Sequence, residues 1–66
     1  MKTDVYVKGV STDRMTAAQL YTTVTHREDA SDDIINDRAI SKFHTFMRKT
    51  DPDVLNILTT FTVTKV

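Results

Sequence analysis

The sequence predicts a small α+β domain in the order ββαβ: a three-stranded sheet with one helix on one face. Three observations predict it. Two early segments alternate polar and apolar residues with the period of a strand. The stretch from Ser31 to Lys49 carries apolar residues at helical spacing. After Pro52 the chain returns to alternation, now rich in threonine.

The first predicted strand covers Thr3 to Val10. Val5 and Val7 point one way, and Asp4, Tyr6 and Lys8 point the other, as in a half-buried strand. Gly9 and the polar run Ser11-Thr12-Asp13-Arg14 mark the connection that follows.

Residues 15–26 admit two readings. As a helix, Ala17, Leu20, Tyr21 and Val24 form a stripe, with Thr16 and Gln19 as a capping box. As a strand, Ala18, Leu20 and Val24 face in, while Tyr21, Thr23 and Thr25 face out. The run Thr22-Thr23-Val24-Thr25 is β-branched throughout, which restricts χ1 in a helix and suits a pleated sheet. That favours a strand from about Ala18 to Thr25. The helical alternative makes the fold βααβ, a two-stranded sheet under two helices. In one hairpin register Val7 opposes Leu20 on the inner face and Tyr6 opposes Tyr21 on the outer face.

Ser31 is the expected N-cap of the helix, with Asp32 and Asp33 in the first turn, where the helix dipole favours anions. Ile35, Ala39, Ile40, Phe43, Phe46 and Met47 fall on one side, and Ile34 falls outside that arc. Arg48 and Lys49 occupy the last turn. Asp51-Pro52 ends the helix, because the residue before proline avoids the α region. Asp51-Pro52-Asp53 can also cap one short turn through Leu55. In the closing strand, Ile57, Thr59, Phe61 and Val63 are expected on one face. Leu58, Thr60, Thr62 and Thr64 are expected on the other.

Sixty-six residues allow one domain, residues 1–66, with a small core. The absence of cysteine excludes disulfides and thiolate zinc sites, and it fits a reducing cytoplasm. Met1-Lys2-Thr3-Asp4 holds no apolar core of a signal peptide, and no apolar run approaches a membrane span. Nine basic and nine acidic residues give zero net charge. That removes the electrostatic drive of non-specific nucleic-acid binding.

No catalytic pattern stands out, and no cofactor or metal is expected. Ser11, Ser31 and Ser41 lack a base held by a third group, and Ser31 serves better as a cap. Gly9 is the only glycine, so there is no phosphate-binding loop. Asp33, Asp37, His44 and Arg48 share a helix flank that reads as a solvated charged surface rather than a ligand set. His26 has only Glu28 and Asp29 as acidic neighbours in sequence.

The chain therefore reads as a non-enzymatic protein-binding module. Tyr6, Lys8 and Tyr21 on the open sheet face are the first candidate contact residues. Arg38, Lys42 and Lys49, with Thr45 on the same helix flank, are the second. Two alternatives stand beside this. A sheet edge next to the threonine row can pair with a second copy to give a homodimer. The tyrosine face can stack single-stranded bases, as some open sheets do.

The hairpin, the helix Ser31 to Lys49 and the closing strand Phe61-Thr62-Val63-Thr64-Lys65-Val66 follow a familiar order. In length and element order the chain resembles small phage-encoded host-takeover proteins, of the kind that inhibits bacterial RNA polymerase. The resemblance implies inhibition or modulation of a host protein. It carries no functional residue with it, and the neutral charge departs from the strongly charged patch such an inhibitor would use.

Overall fold

The computed structural model describes residues 1–66 as β1 (Lys2–Ser11), β2 (Ala17–Thr25), α1 (Asp32–Thr50), α2 (Pro52–Ile57) and β3 (Leu58–Lys65). The three strands form one sheet in the order β2-β1-β3, and β1 is antiparallel to both neighbours. Residues 15–26 are thus a strand and its approach, and the βααβ alternative is excluded. The hairpin register pairs Val7 with Leu20 and Tyr6 with Tyr21, as the alternation predicts.

The β1–β2 connection is a turn held by its own side chains. Asp13 Oδ1 accepts from Ser11 Oγ at 2.6 Å and from the Met15 N–H at 3.0 Å. The Thr16 N–H donates to Ser11 Oγ at 3.1 Å, and the Ser11 N–H donates to the Thr16 carbonyl at 2.9 Å. Arg14 closes the turn in the left-handed region at φ 62°.

Ser31 caps α1 by accepting from the Ile34 N–H at 3.4 Å. Asp51 serves two helices. Its backbone N–H donates to the Met47 carbonyl at 2.7 Å to end α1, and its carboxylate accepts from the Val54 N–H at 3.3 Å to start α2. Pro52 then opens α2, where its missing N–H costs nothing. The short turn continues to Ile57, two residues beyond the expected Leu55.

The core lies between α1 and the inner sheet face. It consists of Val5, Val7, Val24, Ile35, Ala39, Phe43, Met47 and Leu58, with Phe43 wholly enclosed.

Four placements differ from the sequence reading. Leu58 was expected beside the outward threonines, yet it is buried. The reason is a bulge: the register runs from Val10↔Thr60 to Ser11↔Leu58, leaving Thr59 unpaired and reversing the parity of everything before it. Ile57 belongs to α2 instead of β3, and Thr59 is exposed. Phe46 was expected in the apolar stripe but is 43% exposed. It lines a groove with Leu20 and Thr22 along the edge of β2, where the sheet has no further strand to cover it.

Candidate partner-binding face

Alternation along three strands builds a flat outer face. Tyr21, Tyr6 and Thr64 lie in one cross-strand row, Gln19, Lys8 and Thr62 in the next, and Ala17, Val10 and Thr60 in the third. No helix crosses this side, because both helices pack through the inner-face core. The Tyr6 and Tyr21 rings meet with centroids 4.8 Å apart, tilted by 45°. Tyr6 is half-buried, and its hydroxyl donates to Gln19 Oε1. Tyr21, on the edge strand, is 69% exposed. Thr23 Oγ1 donates to Asp4 Oδ1 at 2.7 Å, closing the row beyond the tyrosines.

At the other end of this face, Lys8 and Arg14 flank a shallow depression of about 500 Å³ floored by Val10 and Ala17 and rimmed by Thr12 and Thr60. Neither cation forms an ion pair. Arg14 was not among the residues singled out from the sequence. Its only signal there was a place in the polar run after Gly9. The turn places it on the rim of the same depression as Lys8.

The second group of candidates stands elsewhere. Arg38, Lys42 and Lys49 project from α1 on the flank above β2. Arg38 Nη1 donates to the Thr25 carbonyl at 2.7 Å, and Lys42 Nζ donates to the Thr23 carbonyl at 2.5 Å. Both carbonyls point away from β1, so two helix cations cap the free edge of β2. Lys49 makes no such bond and lines the groove with Phe46. The structure therefore brings Tyr6, Lys8 and Tyr21 together and places Arg38, Lys42 and Lys49 in the opposite layer.

The histidines are held by local packing. His26 is buried, with Nδ1 2.7 Å from the Arg27 carbonyl and Nε2 2.6 Å from Thr3 Oγ1. A carbonyl can only accept, so Nδ1 carries a proton, and Thr3 is bonded by the other nitrogen. His26 also exchanges backbone bonds with Met1, extending the β1–β2 ladder by a pair. The His44 ring lies 5.1 Å from Phe61 and meets Phe43 edge-on at 6.5 Å. No three histidine, aspartate or glutamate side chains converge as a metal-ligand set. No helix is long and apolar enough to cross a membrane.

The one titratable group clearly displaced is Asp13. The Ser11 hydroxyl and the Met15 N–H hold its carboxyl below the usual aspartate range.

Comparison with protein-family models, curated proteins and solved structures finds no significant match to this chain.

Proposed function

We propose that this chain is a non-enzymatic protein-binding module whose contact surface is the outer face of the sheet. One observation carries the reading. Tyr6, Tyr21 and Lys8 lie contiguously on a flat face that the helices leave uncovered, with Tyr21 69% exposed. Tyrosine offers a large contact area at small entropic cost, which is why it is enriched at protein interfaces. The Tyr6–Tyr21 contact and the Tyr6–Gln19 bond pre-organise this surface, so little ordering is required on binding.

The resemblance in length and element order to small phage host-takeover proteins is what suggests a modulator of a host protein as the specific form of this reading. The cytoplasm is the compartment that a cysteine-free chain of this size suits.

Affinity capture from bacterial lysate, with and without nuclease, tests the proposal. A stoichiometric partner protein is expected that resists nuclease and is lost with Tyr21→Ala and Lys8→Ala. Capture that disappears with nuclease, or that survives both substitutions, overturns it.

A further inference from the structure

The two edges of the sheet differ. On β2, Lys42 and Arg38 cap the carbonyls of Thr23 and Thr25. On β3 no helix side chain bonds the strand backbone. The Val66 N–H donates to the Asp4 carbonyl at 3.0 Å. Antiparallel alternation then turns the N–H and C=O of Thr60, Thr62 and Thr64 toward β1, and those of Phe61, Val63 and Lys65 outward. From Leu58 to Thr64 the strand has no charge, proline or glycine, the usual devices against edge pairing. Phe61 and Val63 remain half-buried at this margin.

We propose that this side of the molecule binds a second copy of the chain, β3 pairing antiparallel with β3 about a two-fold axis at Thr62. In that register Phe61 opposes Val63 of the second copy, and the pair recurs on the other side of the axis. Outward-facing backbone groups meet as bonded pairs, and the half-buried apolar side chains cover one another. The result is a continuous six-stranded sheet with both helices on one side.

Charge on α1 fits the same axis. Lys65 pairs with Asp32 and the His44 ring lies on Phe61, so this flank of the helix follows β3. Along it, Asp33 and Asp37 occupy the N-terminal half, and His44 and Arg48 the C-terminal half. A two-fold axis through Thr62 sets the helices antiparallel, with the acidic half of each beside the basic half of the other. Three strand spacings, about 14 Å, separate the two copies of β1, so these helix flanks face each other across the groove above the paired β3 strands. A core of eight buried apolar residues is small, and association is the usual supplement in chains of this size. This inference is independent of the outer-face reading, which concerns the other side of the sheet.

Sedimentation equilibrium at low salt, from micromolar to about 1 mM protein, tests it together with amide exchange at the two extremes. The mass is expected to rise from 7.5 kDa toward twice that value. The Phe61, Val63 and Lys65 amides should gain protection as it does. Arg48→Glu leaves the monomer's bonds intact and reverses the charge at the C-terminal half of the flank; it should weaken the dimer about tenfold. Adding Asp37→Lys to Arg48→Glu should restore it. A mass of 7.5 kDa throughout overturns the proposal. So does a dimer lacking either the amide protection or the response to Arg48→Glu.

Discussion

Phe61 stands directly opposite Gly9 across the β1–β3 ladder, and its Cε1 lies 3.2 Å from where a Cβ on Gly9 would sit. Leu58 Cδ1 would be 2.8 Å away and Phe43 Cε1 3.2 Å away. Three side chains thus close over one missing methyl. Leu58 can swing, but it is itself buried and the two rings flank it. Gly9→Ala is expected to destabilise the fold by about 1 kcal/mol and Gly9→Val by about 3 kcal/mol, as overpacked cores do. Urea unfolding followed by circular dichroism measures both. A Gly9→Val variant as stable as the parent would show that the inner face has slack there.

Arg14 adopts φ 62°, where a β-branched residue is strained more than an unbranched one. Arg14→Val should cost about 1–2 kcal/mol. Arg14→Gly should stay close to neutral, because relief of strain offsets the added freedom of the unfolded chain. Thermal melts of the two variants give the comparison, and equal midpoints would contradict the assigned turn.

The Asp13 carboxyl sits below its ordinary range because Ser11 and the Met15 N–H bond its ionised form. A lowered folded-state value means that the native chain holds this proton less tightly than the unfolded chain. The contribution is therefore present above the unfolded value of about 3.9 and is lost as pH falls through the lower folded value. Proton NMR should show the Met15 amide shifting and exchanging faster in that acid window. Asp13→Asn should abolish the transition without shifting the rest of the sheet.

Arg38 and Lys42 cap the β2 edge with exposed side chains, so each contributes less than about 1 kcal/mol to stability. Their larger effect is on solubility. The double variant Arg38→Ala, Lys42→Ala should melt only a few degrees lower yet scatter light increasingly on concentration, because the uncapped strand accepts another strand. A variant that remained clear and unaggregated would show that the caps are incidental.

The legible parts of this fold are those whose signals are local. The β-branched run from Thr22 to Thr25 gave β2, Ser31 and Asp51-Pro52 bounded α1, and simple alternation placed Tyr6 beside Tyr21. Leu58 escaped because the bulge at Thr59 arises from docking β3 onto Ser11, a residue far away in the chain. Phe46 escaped because a helical wheel assumes a sheet wide enough to cover the whole arc. At the candidate site, the tyrosine–lysine group was visible as a shared parity. The inward use of Arg38 and Lys42 depends on where α1 crosses β2, which no spacing within α1 encodes.

The central strand has one partner close in sequence and one distant. Val7 meets Leu20 thirteen residues on and Val63 fifty-six residues on. Closing the longer loop costs more entropy, about 0.6 kcal/mol for each doubling of length, and it must precede the contacts that reward it. On loop length alone the hairpin and helix are expected to form early and β3 to dock late. Substitutions in β3 should then act mainly by speeding unfolding, whereas those at Val5 and Val24 should slow folding itself. The lifetime of the native state is set from the far end of the chain, and its rate of formation from the near end.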